Sequence, residues 1–163
     1  MSIYLENNAS TVTFSTAGDV QIFTIGYEKR DILSFVQLLR RNGIQRVIDV
    51  RKNPISRKKG FSKSALKVFL EKYQIEYVHI PQLGIPSAYR TSLQTPKDYE
   101  DLFRVYTSEM LPQVQEYVSQ AASLIAEKPS ALMCFEYDPK QCHRSCLAQK
   151  IHEVYSYSVK HIS

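Results

Sequence analysis

The sequence has little of what marks secreted or membrane-spanning proteins. Only three of its 163 residues are cysteines, and a small, odd number argues against a disulfide framework and for a reducing compartment. No stretch approaches the roughly 20 apolar residues that a membrane-spanning helix needs, so no membrane partner is predicted. The first residues lack the basic segment and apolar run of a secretory signal. A cytoplasmic location is therefore expected.

The sequence also lacks repeats and low-complexity tracts, and its composition is ordinary for a globular protein. Apolar residues make up 44% and charged residues 23% of the chain, which is enough apolar material for a packed core. Residues 1–20 are rich in Ser, Thr and Asn, and we expect a mobile arm or a small hairpin there. Residues 21–163 are predicted to form a single α/β domain.

Short β-rich runs alternate with amphipathic helical patterns from residue 21 onward. Helix starts are indicated at Asp31, Ser62 and Thr95, and a restart at Pro112. A last helix carries Leu147, Ile151 and Val154. The predicted strands are 22–25, 46–50, 76–80, 131–135 and, at the end, 157–162. This alternation predicts a Rossmann-like three-layer α/β fold with a mainly parallel sheet flanked by helices, because parallel strands need crossover connections.

The predicted topology also predicts where a ligand would bind. In open parallel sheets, ligands bind at the carboxyl ends of the strands. The segments that follow the strands should therefore be neighbours in space: 26–28, 49–57, 79–84 and 134–144.

Positive charge is concentrated in one of these segments. The net charge is +5, and six basic residues with no acidic one lie between Arg51 and Lys63. Arg51 directly follows the second strand, Arg57 lies in the next loop, and Asp49 is placed to orient one of them. Because arginine offers a planar fork of donors, the pair favours phosphate or carboxylate binding. The alternative is a solvated loop whose arginines form surface salt bridges.

A second group of reactive side chains follows the fourth strand. Cys142, His143 and Arg144 lie near the start of the last helix, where backbone N–H groups favour anions and Arg144 would add charge. Glu136 and His143 form a usable acid/base pair. The alternative is that a Glu136–Arg144 or Glu136–His143 bridge only fixes the loop.

The same residues raise two other chemistries. Cys142, His143 and Cys146 do not have a standard zinc spacing, so neither a metal nor another cofactor is predicted. A nucleophilic Cys142 is an alternative, since a helix start and Arg144 would lower its pKa. The two-residue offset from Cys142 to Arg144 is, however, shorter than the loop of cysteine phosphatases and rhodaneses.

Further candidates lie at the other strand ends. Tyr27 and Glu28 follow Gly26 and are placed to stack on or hydrogen-bond a ligand. His79, at the end of the third strand, either faces the pocket or is a hydrogen-bonded core histidine. The long loop that carries Tyr89 and Arg90 is a possible lid.

At these segments the chain resembles the family called domain of unknown function 488. The matching segments are 24–28, 49–57, 60–63, 77–79, 83–84, 134–136 and 142–145. Other members carry glycine at Lys29, and many carry His-Ser in place of Tyr27-Glu28. The resemblance implies a Rossmann-like α/β fold but no particular reaction.

Together these observations predict an enzyme that binds a phosphate-bearing ligand, a nucleotide or nucleic acid. Arg51, Arg57 and Arg144 would hold the anion, while Glu136 and His143 supply acid/base chemistry. The alternatives are a non-catalytic nucleic-acid-binding module that uses residues 51–63, and a thiol-dependent enzyme centred on Cys142. Aromatic residues on the helix at 99–106 also suggest a possible homodimer.

Overall fold

The computed structural model describes residues 20–163, so the predicted arm or hairpin at residues 1–20 lies, except for Val20, outside the described residues. The described chain forms one five-stranded sheet in the order β3-β2-β4-β1-β5, and all four pairings are parallel. The strands are β1 (Gln21–Gly26), β2 (Arg46–Asp49), β3 (Glu76–His79), β4 (Ser130–Cys134) and β5 (Ser158–His161).

Five α-helices connect the strands, mostly where the apolar stripes predict them. They are α1 (Ile32–Arg41), α2 (Lys63–Glu71), α3 (Pro96–Val105), α4 (Gln115–Glu127) and α5 (His143–Tyr155). Asp31 caps α1 by accepting from the Ser34 N–H at 2.7 Å. Thr95 and Asp98 form a capping box at the start of α3, which satisfies N–H groups that a helix start leaves unpaired.

The helices cover both faces of the sheet. One buried cluster joins α1 and α2 to the sheet through residues such as Phe35, Leu39 and Leu66. The other joins α3, α4 and α5 to the opposite face through residues such as Leu102, Ile125 and Leu147. The three-layer α/β prediction is confirmed, and the sheet is entirely parallel. Within residues 20–163, no helix is long and apolar enough to cross a bilayer.

Strand order sets the position of the site. The connections from β1 and β2 run toward the β3 edge, whereas those from β3 and β4 run toward the β5 edge. The loops that follow β2 and β4, which are adjacent strands, therefore diverge to opposite faces and leave a crevice at the carboxyl edge. Such a switch point is where open α/β sheets bind ligands.

Three details of the helices and their surfaces differ from the sequence prediction. Ser62 precedes α2 but makes no side-chain cap, because its hydroxyl bonds the backbone of Ser56 instead. The helix does not restart at Pro112, which lies in a 3₁₀ turn (Leu111–Val114) that follows a π-helical turn (Tyr106–Met110). Val154 is 56% exposed rather than part of the core stripe.

The aromatic residues of α3 and the turn after it give no basis for the predicted dimer. Tyr106 is buried and donates to the Leu83 carbonyl at 2.7 Å. Tyr99 and Phe103 are half-buried and pack against each other. These side chains are therefore used within the fold, since the connection between β3 and β4 covers one face of the sheet.

Lys29 has a backbone conformation that is unfavourable for a lysine. Its φ is +63°, in the left-handed region, and the Arg30 N–H closes the turn onto the Tyr27 carbonyl. An L-residue costs about 1–2 kcal/mol there, whereas glycine adopts this conformation without that cost.

Lys29→Gly should therefore give a free energy of unfolding about 1 kcal/mol above that of Lys29→Ala. Both variants lose the contact between the Lys29 ammonium and the Tyr137 ring, so their difference isolates the backbone. Urea unfolding measures it, and equal midpoints would contradict the assigned strain.

Candidate functional site

A cleft of about 360 Å³ lies at the switch point, and we call it the basic pocket. It opens between the residues that follow β1, β2 and β4, and the segment after β3 closes one side. Its lining residues are Tyr27, Arg51, Lys52, Asn53, Ile55, Ser56, Arg57, Ile85, Ser87, Arg90, Cys134 and Phe135. A volume of this size is in the range of small-molecule sites.

The lining is strongly cationic. Of the residues in the described chain that line the pocket, four are basic and none is acidic. Lys52 and Arg57 are exposed, Arg90 is 35% exposed and Arg51 is buried. Because the four charges share one concave surface, the pocket concentrates positive potential and attracts anions.

Arg51 is fixed in place by an ion pair with Asp49. Its Nε donates to Asp49 Oδ1 at 2.9 Å and its Nη2 to Oδ2 at 2.7 Å. Its Nη1 donates to the Tyr27 hydroxyl and the Phe61 carbonyl. The Tyr77 hydroxyl also donates to Asp49, at 2.5 Å. At most one of the five N–H groups of Arg51 is therefore left for a ligand.

One wall of the pocket is apolar. Tyr27 is buried and stacks on Phe61, with ring centroids 4.4 Å apart. The Phe135 and Tyr27 rings form a T-shaped pair. Phe135 is 43% exposed and Ile55 is 82% exposed. The pocket therefore offers accessible aromatic surface beside its cationic groups.

Arg90 connects the basic pocket to the predicted acid/base pair. Its Nη1 donates to Glu136 Oε1 at 3.2 Å, and its Nη2 lies 3.3 Å from His143 Nδ1. A second cavity of about 70 Å³ is lined by Arg90, Glu136 and His143, among others. Among the described residues, Arg90 Nε and Glu136 Oε2 are the buried side-chain atoms without a hydrogen-bond partner.

The environment of Glu136 favours its ionised form. Burial raises the pKa of this carboxyl, but hydrogen bonding by the Cys142 thiol and the charge of Arg90 outweigh it. The net result is a pKa below the usual value. Glu136 is therefore ionised near neutral pH and has no proton of its own to donate.

His143 is buried and held in one orientation. Its Nε2 lies 3.0 Å from the Val50 carbonyl, which only accepts, so the ring donates from Nε2. Its Nδ1 carries the lone pair and lies 3.8 Å from Cys134 Sγ and 3.9 Å from Cys142 Sγ. The imidazole and the Tyr106 ring pack in a T-shaped arrangement.

Cys142 has the opposite environment from the one that a thiol mechanism requires. It is 1% exposed, and burial together with the neighbouring Cys134 raises the pKa of its thiol well above the usual value. Burial thus has a larger effect on the pKa of this thiol than the start of the helix has. Cys142 is also not among the pocket-lining residues. The cysteine that lines the pocket is Cys134.

Three of the predicted ligand-binding residues do not line the pocket, and their side chains are hydrogen-bonded within the fold. Arg144 is 1% exposed, and it donates to Thr24 Oγ1 and to the carbonyls of Glu136 and Tyr137. Glu28 accepts from the Tyr137 N–H at 2.8 Å. His79 lies 2.8 Å from the Arg51 carbonyl. The structure therefore brings Arg51, Arg57 and Tyr27 together in the pocket but not these three.

Residues 31–151 match the family model described as domain of unknown function DUF488. The chain belongs to the DUF488 family. The matched segment contains both loops that form the basic pocket, whereas Tyr27 and Glu28 precede it. No curated protein and no solved structure matches the chain.

Within this DUF488 protein, the sequence pattern missed two pocket residues. Cys134, the last residue of β4, falls in the predicted ligand-edge segment 134–144, but the sequence pattern does not name it as a binding residue. Lys52 falls in the segment 49–57 and counts there only as one of six basic residues. The rule that ligands bind at strand ends therefore places both at the correct edge without singling out either one.

Proposed function

We propose that this protein binds a phosphate-bearing small molecule in the basic pocket and that a nucleotide is the favoured class. The observation that carries the proposal is the set of four basic residues, with no acidic one among the described lining residues, at the switch point of the sheet. Arg57, Lys52 and Arg90 supply the accessible charge, while Arg51 shapes the pocket from below.

The apolar wall supports a nucleotide rather than a free phosphate. Phe135 exposes aromatic surface and Ile55 aliphatic surface at the rim of the pocket. Base–aromatic stacking contributes about 1–3 kcal/mol per base, so a base on Phe135 would add to the charge-assisted contacts of the phosphate.

We propose further that Glu136 and His143 supply acid/base chemistry to the bound ligand. Both contact Arg90, which also lines the basic pocket. A phosphate drawing Arg90 toward itself would free the carboxylate and His143 Nδ1. The Glu136→Gln variant should then still bind the phosphate-bearing ligand but no longer convert it to product.

Binding of AMP, adenosine and inorganic phosphate tests the site by calorimetry and by the midpoint of thermal unfolding. We expect AMP to stabilise the protein and adenosine not to. Arg57→Ala should weaken AMP binding roughly tenfold or more, the typical effect of losing one charge-assisted hydrogen bond. Phe135→Ala should weaken AMP binding and leave phosphate binding unchanged.

Arg41→Ala is the matched control. Arg41 is an exposed arginine at the end of α1, away from the carboxyl edge of the sheet. Removing it changes the net charge by the same amount as Arg57→Ala does. Equal AMP affinities in the two variants would show that general charge, not the pocket, attracts the ligand.

Nucleic acid is the second candidate, because the exposed Lys59 and Lys63 continue the positive surface beyond the pocket. In that case a single-stranded oligonucleotide should bind more tightly than AMP, and its affinity should fall steeply with salt. Lys59→Ala with Lys63→Ala should then weaken oligonucleotide binding and leave AMP binding unchanged.

A further inference from the structure

Three metal-ligating atoms converge at Cys134, the one of their residues that lines the basic pocket. Cys134 Sγ, Cys142 Sγ and His143 Nδ1 all lie within 4.8 Å of one another, and all three residues are buried. Cys134 comes from the end of β4, whereas Cys142 and His143 come from the start of α5. The sequence pattern had grouped Cys142 and His143 with Cys146, which is not part of this cluster.

The separations fit a shared metal ion. With Zn–S of about 2.3 Å and Zn–N of about 2.0–2.1 Å, a tetrahedral angle puts sulfur and nitrogen roughly 3.6 Å apart, and a wider angle slightly more. The two observed sulfur-to-nitrogen distances are 3.8 and 3.9 Å. The imidazole nitrogen therefore needs only small shifts to share an ion with either sulfur. The two sulfurs, which lie within 4.8 Å of each other, must come to roughly 3.8 Å, the separation of two sulfurs on one tetrahedral zinc.

The orientation of His143 is the one that a metal ligand requires. Its Nε2–H is held by the Val50 carbonyl, which leaves the Nδ1 lone pair facing the two thiols. Ligating histidines almost always donate their other ring N–H to such a partner, which fixes the tautomer. Glu136 Oε2, buried and without a hydrogen-bond partner, belongs to the carboxylate whose Oε1 accepts from Arg90, the neighbour of His143 Nδ1.

We propose that Cys134, Cys142 and His143 bind a thiophilic divalent cation, zinc in the first place, with the fourth position toward the basic pocket. Each thiol loses its proton to solvent as its sulfur bonds to the ion, and the imidazole binds through its lone pair without losing a proton. Three protein ligands with an open fourth position are typical of catalytic rather than structural zinc sites. The open position would then receive an oxygen of the anion.

Two features of the chain bear directly on this site. Adjacent ligands rarely share one ion, but Cys142 has an extended backbone, with φ −134° and ψ 137°, and precedes the first helical residue. That change of direction turns both side chains toward Cys134. The Arg90 guanidinium lies 3.3 Å from His143 Nδ1 and must move away before this nitrogen can bind an ion. Arg90 is on a partly exposed short turn, which allows this movement.

Zinc and cobalt binding to the whole protein tests the site. After treatment with a chelator and a reductant, wild type should bind one Zn²⁺ per chain in calorimetry, and Co²⁺ should give sulfur-to-cobalt charge-transfer absorption. Cys134→Ser and Cys142→Ser should each weaken zinc binding by roughly a hundredfold or more, since even outer-shell changes cost 10–100-fold. Cys146→Ser, which alters the third cysteine, should bind like wild type.

If the serine variants do not fold, zinc and cobalt binding by the wild-type protein still tests the proposed metal site. Wild type that binds no zinc, or gives no sulfur-to-cobalt absorption, would overturn the proposal, as would a Cys146→Ser variant that loses the ion. Arg90→Ala separates this site from the proposed anion function. It should tighten zinc binding at least roughly tenfold by removing a nearby positive charge, and it should weaken AMP binding. Zinc binding without AMP binding would refute the anion function alone.

Discussion

Replacing Asp49 with alanine is expected to lower the free energy of unfolding by about 3–5 kcal/mol. Asp49 is fully buried and accepts from Nε and Nη2 of Arg51 and from the Tyr77 hydroxyl. Without it, a buried guanidinium has no counter-charge and the tyrosine hydroxyl loses its partner. Because domains are stable by only about 5–15 kcal/mol, a large part of the stability should disappear. Urea unfolding measures the loss.

Asp101→Ala is the matched control for this change. Asp101 pairs with Arg104 at 2.7 Å, the same nitrogen-to-oxygen distance as in the Asp49–Arg51 pair. Arg104 is 72% and Asp101 45% exposed, however, so water screens the pair and its loss should cost no more than about 1 kcal/mol. Similar losses in the two variants would show that burial does not set the strength of the Asp49–Arg51 pair.

The double variant Asp49→Ala/Arg51→Ala tests the same cause in another way. If the cost of Asp49→Ala comes from an uncompensated charge, removing that charge should recover part of it. A loss equal to the sum of the two single losses would contradict this account. Asp49 would then be important for packing, and its role as the residue that positions Arg51 in the pocket would fail.

The fold was predictable because the strands and helices have clear patterns. β2 and β4 are buried at every position, as expected for strands covered on both faces, and their apolar runs stand out in the sequence. Once the alternation of strands and helices was recognised, parallel pairing and the ligand edge followed from general rules. The π-helical turn before Leu111 was not predicted, because its residues continue the helical apolar pattern.

Individual site residues were less predictable, because spacing does not tell which donors are already used. Arg144 lies at the start of α5, as predicted, yet its guanidinium bonds Thr24 and two backbone carbonyls. Arg57, which has the same chemistry, lines the open pocket. The difference depends on the path of the loop at 135–141, which is set by tertiary contacts rather than by the local sequence.

Gly26 is the residue on which that loop path depends, and Gly26→Ala should destabilise the protein by about 3 kcal/mol, the upper end for overpacking. A Cβ there would lie 1.8 Å from the Glu136 carbonyl oxygen. That oxygen accepts from Arg144 Nη1 at 2.6 Å, and the Phe135 carbonyl accepts from the Glu28 N–H at 2.8 Å. The loop can make room only by breaking these bonds. Thermal and urea unfolding measure the loss.

Gly43→Ala separates a steric cause from a conformational one. Gly43 has a φ of +67°, but a Cβ there would have nothing within 4 Å, so only backbone strain of about 1–2 kcal/mol is expected. Gly26→Ala should also weaken AMP binding, because its shift moves Phe135 at the pocket rim, whereas Gly43→Ala should not. Equal stability of the two variants, or unchanged AMP affinity in Gly26→Ala, would mean that the loop at 135–141 shifts at little cost in free energy. Close approach of β1 to the loop after β4 would then not be what holds the pocket in shape.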